Sequence, residues 1–336
     1  MKKPLLLFTL CLLAFAPSAW AGSHSGAVTM NFDLTAQAKD ETVRLWIPYP
    51  VTDRDQTVGN IRISGDFAAS GVYTDKVNGN PALYAEWPRG AASRKLVFSF
   101  TVDRREIIRS DLPSTEAAWN PADYAEFLAP TSLGPIDGAV KQLASAIVKG
   151  KNTNLDKAKA IYDWTVENMY RDPDTRGCGK GDVCTLLLDP GGKCTDISSV
   201  FVALCRAAGV PAREIFGVRL GKPPEQDITT WQHCWAEFFV PGAGWIPADP
   251  ADVRKAMLVE QLDLDSDKIR KLRDYFWGGI DAYRLKLATG RDLVLNPLQA
   301  GAPLNTFGYP YAEVGGKPLD FYDPNSFTYS LIYREK

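Results

Sequence analysis

The stretch Gly191 to Leu220, GGKCTDISSVFVALCRAAGVPAREIFGVRL, reads in succession as loop, helix, stop and strand. Gly191-Gly192-Lys193 is a turn. From Cys194 onward Ile197, Val200, Phe201, Leu204 and Ala208 recur at the three-and-four spacing of one helix face. Gly209-Val210-Pro211 ends the helix, because glycine readily takes the left-handed conformation at a helix end and proline does not continue one. Arg213 to Leu220 then reads as a strand. A cysteine is thus predicted in the first turn of a helix, where the helix dipole favours the thiolate, the nucleophilic form. Asp196 in the same turn suits a helix start but opposes a neighbouring anion. It reads as structural, and a cationic partner for Cys194 is still wanted.

The chain offers little choice of partner. It has only two histidines; His24 lies near the start, so histidine chemistry in the folded body falls to His233. Residues 233–240 and 245–248 read as two strands joined by Pro241-Gly242-Ala243-Gly244. An antiparallel hairpin across a four-residue turn sets Asp249 opposite His233 or Cys234, where its carboxylate can hold the imidazole. Asp252 is a rival acid, but it follows Pro250 and lies off the strand. Taken singly, a cysteine at a helix start is commonly structural and a lone histidine commonly a satisfied half-buried residue. Their conjunction, in the order Cys, His, Asp, points to nucleophilic catalysis.

These segments resemble the bacterial transglutaminase-like superfamily. Gly191-Gly192-Lys193-Cys194-Thr195-Asp196 with Ala203 to Arg213 is similar to its active-site helix. His233-Cys234-Trp235-Ala236-Glu237-Phe238 and Gly244-Trp245-Ile246-Pro247-Ala248-Asp249-Pro250 are similar to its histidine and aspartate strands. The resemblance spans about residues 138–255, and the motifs together are specific where each alone is not. It implies a papain-like α+β core, with the cysteine-bearing helix packed on an antiparallel sheet. It carries the nucleophile onto Cys194, the acid/base onto His233 and the orienting acid onto Asp249. The tryptophan that animal transglutaminases use as oxyanion donor has no counterpart here. Trp164 reads as core, while Trp231, Gln232 and Trp235 flank His233 as possible cleft walls. Gly290 to Pro297 also resembles exported bacterial members.

Outward from this core, residues 26–108 read as β. Val28 to Leu34, Val43 to Ile47 and Leu96 to Val102 alternate, with turn clusters at Asp53-Arg54-Asp55 and Asn78-Gly79-Asn80-Pro81. The expected division is a β-sandwich-like domain over 22–108, a proline-rich connector over 109–135, the catalytic core over 136–255 and a C-terminal extension over 256–336. Within the core, Asp137 and Thr153 are positioned to start two helices ahead of a glycine-rich loop, 172–192. The extension opens with a charged helix near 265–276 and continues into strands at 284–287 and 327–333.

The N-terminus reads as a signal peptide: Lys2 and Lys3, an apolar run to Phe15, then Ala19-Trp20-Ala21 as the cleavage site. Export to the periplasm or beyond is the expectation, with Gly22 as the first mature residue. Loss of Lys2 and Lys3 leaves 36 basic against 40 acidic residues, a net charge of −4. That balance argues against nucleic acid as a partner, since it selects clustered basic charge. No other stretch is apolar enough to span a bilayer.

Six cysteines become five without Cys11, and an odd number in an oxidising compartment suggests one free thiol. Cys194 is expected to stay reduced, and Cys178 with Cys184, in one loop, are the first candidates to pair. The cysteine spacings do not match paired zinc knuckles, and no metal or organic cofactor is expected. The function expected is acyl transfer on peptide or protein amides through a thioester, with hydrolysis favoured over amine transfer. The alternatives are a protein-glutamine transglutaminase, a catalytically silent peptide-binding module, and a disulfide-stapled structural protein in which Cys194 is oxidised. The residues do not set the oligomeric state.

Overall fold

The computed structural model describes residues 22–109, 112–222 and 224–336; the expected signal peptide lies outside them. The half expected to be catalytic is built on a four-stranded antiparallel sheet in the spatial order Gly244–Ala248, Gln232–Val240, Ala212–Arg219, Arg284–Thr289. Helix α1 (Gly138–Ile147), α2 (Asn154–Asn168), α3 (Val183–Leu188) and α4 (Cys194–Ala207) precede its strands. Helix α5 (Pro250–Glu260) and α6 (Asp267–Tyr275) follow the hairpin.

Every residue of α4 is buried, as expected of a helix running through the middle of a core rather than over its surface. The helix packs on the sheet, and Ile197, Val200, Phe201 and Leu204 share one cluster with Phe216, Ala236 and Phe238. Gly209, at φ 81°, and the Val210 N–H bonded to the Cys205 carbonyl end it as the sequence predicts. Thr153 caps α2 by accepting from Asp156 N–H. Asp137 precedes α1 without a side-chain cap bond.

Two further antiparallel sheets, each of five strands, form a sandwich. One runs Glu225–Asp227, Tyr329–Glu335, Ser23–Asp33, Lys95–Arg105, Gln56–Gly65; the other runs Lys317–Pro318, Tyr311–Val314, Val43–Pro48, Pro81–Trp87, Ala69–Thr74. Val28, Met30 and Phe32 of the first face Leu45, Leu83 and Trp87 of the second in one core, which Val218, Leu285 and Leu287 of the catalytic sheet join. Residues 256–336 are distributed over both halves. Arg284–Thr289 completes the catalytic sheet, while Tyr311–Val314 and Tyr329–Glu335 lie inside the sandwich sheets. Among the described residues no helix is long and apolar enough to cross a membrane.

His24, set aside as lying near the start, is buried, because the first strand already begins at Ser23; its Nε2 meets the Gly221 carbonyl at 3.0 Å and the Tyr333 hydroxyl at 2.6 Å.

Candidate active site

Cys194 is the first residue of α4 and is buried. Asp196 organises the helix start: Oδ2 accepts from the Lys193 N–H at 2.9 Å and Oδ1 from the Gly181 N–H at 2.7 Å. It is therefore structural. The glycine-rich loop needs its glycines here, since Gly179 sits at φ 91° and a Cβ there would fall 1.8 Å from the Asp196 carboxylate. Arg291 locks the same loop by donating to the carbonyls of Gly181 at 2.9 Å and Lys180 at 2.8 Å, which gives the Gly290–Pro297 segment a physical task. So held, the loop lays Cys178 beside the helix, with the Thr195 N–H bonded to the Cys178 carbonyl.

The thiols of Cys178, Cys194 and Cys234 lie within 4.8 Å of one another. Tyr309 donates to the Cys178 sulfur at 3.1 Å, and Thr195 Oγ1 meets Cys234 Sγ at 3.2 Å. Hydrogen bonds from Cys178 first, then Cys234, hold the Cys194 thiol well below its ordinary value against the cost of burial, and His233 adds to this. The other two move the opposite way: Cys178 rises chiefly because it bonds Cys194, and Cys234 chiefly because it is buried. Of the three, Cys194 alone is shifted toward the thiolate.

The five described cysteines are free thiols. The expected Cys178–Cys184 pairing is not formed: Cys178 turns inward to Cys194, while Cys184 is exposed on α3. Cys205 is simply part of the core.

His233 and Asp249 meet, but not through the expected register. The hairpin closes at Val240 and Gly244, with Gly242 and Gly244 both at positive φ, and pairs Ala236 with Ala248. The strand stops at Ala248, and Asp249 becomes the cap of α5, its Oδ1 accepting from the Asp252 N–H at 2.9 Å. Its Oδ2 lies 2.7 Å from His233 Nε2. That leaves Nδ1 of the ring for the Cys194 side, where His233 contributes to lowering the thiol.

Arg284 and Arg219, absent from the sequence reading, and the rival acid Asp252 complete the site. Arg284, fully buried, converges with His233 Nε2 on the same Asp249 oxygen and also holds Asp252 at 2.6 Å and Asp281 at 3.0 Å. Asp252, off the strand as expected, is nonetheless 3.8 Å from His233 Nε2 and is bound at 2.5 Å by Arg219. Burial and Arg219 push the imidazolium down, but Asp252 and Asp249 outweigh them, so the His233 pKa is raised. The sequence carries no distinct cue to Arg284, which shares its strand with a second charged residue, Lys286. The His233–Asp249–Asp252 donors also converge closely enough for a metal, yet Arg284 and Arg219 already neutralise both carboxylates.

A cleft of about 560 Å³ opens over Cys178, Cys194 and His233, within the ordinary range for a ligand site. Trp231 and Gln232 line it, whereas Trp235 is buried beneath the sheet with Ile107, Ile215 and Ile280. Trp164 packs against the core. Both polar atoms of the Gln232 side chain are buried without a partner among the described residues. The basic lining residues are Arg171, Arg176, Lys193, Arg219 and Lys255, and no Asp or Glu joins them.

Residues 141–250 match the family model described as the transglutaminase-like superfamily. An uncharacterised protein of Haemophilus influenzae is 36% identical, over 95% of this chain and 94% of its own length. A crystal structure of a proposed cysteine protease from Cytophaga hutchinsonii is similar in fold, with a TM-score of 0.54 at 18% identity, covering 94% of this chain and 99% of that one.

Proposed function

The chain belongs to the transglutaminase-like superfamily, and from that footing we propose that it is an exported cysteine-dependent enzyme that cleaves peptide or protein amides through a thioester. The observation that carries this reading is the buried Cys194 at the mouth of α4, facing a cleft, with the His233–Asp249 pair at 2.7 Å beside it. The Cys194 thiolate adds to an amide carbonyl. His233 gives its proton to the departing amine as the C–N bond breaks, and water then attacks the thioester with His233 as base. Asp249 holds the ring and balances the imidazolium. The Cys194 N–H, which has no backbone partner among the described residues, and the unpartnered Gln232 amide are the proposed oxyanion donors.

A catalytically silent module has no chemical need for a depressed thiol. Labelling with neutral iodoacetamide is therefore expected to stay fast well below pH 9.0, the ordinary thiol value, and to slow as pH falls through the lowered pKa of Cys194. Turnover is expected to fall again as pH rises through the raised pKa of His233, because the leaving amine then lacks its acid. The ion pair stabilises the fold between those two limits: the Cys194 contribution is lost as pH falls through its lowered pKa, and that of His233 as pH rises through its raised one. Labelling that follows an ordinary free thiol would overturn the proposal. Cys178→Ala removes the strongest donor and moves the acid limb upward.

Hydrolysis is favoured over amine transfer. An amine competes with solvent water only when bound and oriented, and a lysine ammonium approaching this cleft meets five basic side chains. The check offers glutamine-containing peptides with and without a primary amine; amine incorporation outpacing acid product at millimolar amine defeats this part. Export rests on Lys2-Lys3, the apolar run and Ala19-Trp20-Ala21. The exported protein is expected to have an intact mass beginning at Gly22, and a product retaining Met1 refutes it.

A further inference from the structure

We infer that the cleft selects an acidic peptide, whose carboxylate close to the scissile amide is held by Arg171, Lys193 and Lys255; the inference rests on the acyl-transfer reading of Cys194. The chain as a whole is slightly acidic, so a cleft whose charged lining residues are all basic is not a sample of its surface.

Two of the five cations are already engaged, Arg176 by Asp320 at 2.7 Å and Arg219 by Asp252 at 2.5 Å. Arg171, Lys193 and Lys255 have no ion-pair partner among the described residues. Their positions ring the nucleophile. Arg171 pairs in the parallel ladder with Gly192, two residues before Cys194, Lys193 is the residue between, and Lys255 stands on α5, the helix that Asp249 caps.

The Nη1 atom of Arg171 is buried with no hydrogen-bond partner. A buried charged donor left unpaired costs more than a neutral one, and a carboxylate satisfies a guanidinium fork with two parallel bonds. Burial comes first in lowering Lys255; Arg219 and Arg171 press the same way, while Asp252 and Cys194 oppose them. The fold thus gathers like charges beside the cleft; the nearby Asp252 is already bound by Arg219 and Arg284, and the Arg171 Nη1 is left for a ligand. Nor is tuning the thiol their main task, for Cys178, Cys234 and His233 do that.

The test compares the alkylation rates of Cys194 by iodoacetate and by iodoacetamide in the full mature protein. The two reagents share a leaving group and differ in charge, so any change in thiol pKa cancels in the ratio. The iodoacetate/iodoacetamide ratio is expected to exceed that of free cysteine by about tenfold at low salt and to shrink as salt screens the field. It is expected to fall severalfold in Arg171→Gln and Lys255→Gln while Lys255→Arg retains it. Peptides with Glu beside the scissile bond should likewise show about tenfold higher kcat/KM than their Gln isosteres. A ratio equal to that of free cysteine, or one unmoved by the substitutions, overturns this inference while fast iodoacetamide labelling leaves the acyl-transfer reading standing. Slow labelling by both reagents removes that reading and this inference with it.

Discussion

Cys194→Ala is expected to leave no measurable turnover, and His233→Ala to lower kcat/KM by at least about 10⁴-fold, with the double variant little worse than either alone. In the proposed mechanism thiolate and imidazolium are one device: without the base the thiol would lose its proton acceptor and the amine its acid, and without the thiol there would be nothing for the base to serve. Asp249 calls for a different substitution. It is fully buried, caps α5 and binds Arg284, so alanine there would confound catalysis with folding. Asp249→Asn keeps the capping oxygen and is expected to cost about 10²–10⁴-fold, since the residue orients the ring but transfers no proton. Gln232→Ala should cost about 10²-fold through the lost oxyanion donor. Peptide-amide kinetics on variants with unchanged circular dichroism measure all four. Losses that multiply independently in the Cys194/His233 double variant would show that the two residues do not act together.

Arg284→Met should produce the largest loss of stability, about 3–5 kcal/mol in urea denaturation at neutral pH. The guanidinium is fully buried between Asp249, Asp252 and Asp281 and lies over the Phe276 ring, 4.9 Å to its centroid. Removing it leaves carboxylates crowded together with only Arg219 and His233 to oppose them. The sign of the pH dependence follows. Burial raises the Asp252 pKa, but Arg284 and then Arg219 overcome this and hold it well below 3.8, so its contribution is present above that value and disappears as pH falls through the lowered one. In the variant the carboxylates take up protons more readily, and the deficit should narrow as pH drops through the carboxylate range. A loss under about 1 kcal/mol would mean that the network is incidental to the fold.

The sequence made α4 legible because its start, face and stop are all local signals. Lys193-Cys194, the apolar spacing and Gly209 need nothing distant to be read. Asp249 was reached by a register that the three-residue closure at Val240/Gly244 shifts. Asp249 meets His233 all the same, because it caps α5 with one oxygen while the other points at the ring. What stayed hidden is what the tertiary fold assembles. Cys178 and Cys234 are 16 and 40 residues from Cys194, too far for spacing to suggest that their thiols would meet, and loop proximity misled the reading toward Cys184. Arg284 lies 51 residues beyond His233 on a strand whose neighbours look like ordinary sheet. The sandwich edges Gln56–Gly65 and Ala69–Thr74 lie within the stretch read as β but carry only fragments of apolar alternation, such as Ile61-Arg62-Ile63, because an edge strand buries few of its residues.

The strand Tyr329–Glu335 sits between Glu225–Asp227 and Ser23–Asp33, pairing Val28 with Tyr333 and Met30 with Leu331. Its consequence is one of timing. During synthesis the first strand, the nucleophile and the histidine all emerge before Arg284, and Arg284 before the strand that seals the sheet. An unfinished chain therefore holds Cys194 and Asp249 without the cation between the acids and without a closed sandwich. Closure of that sheet waits on a strand made after every residue of the site, so the sandwich keeps an open edge along Ser23–Asp33 until Tyr329–Glu335 has emerged.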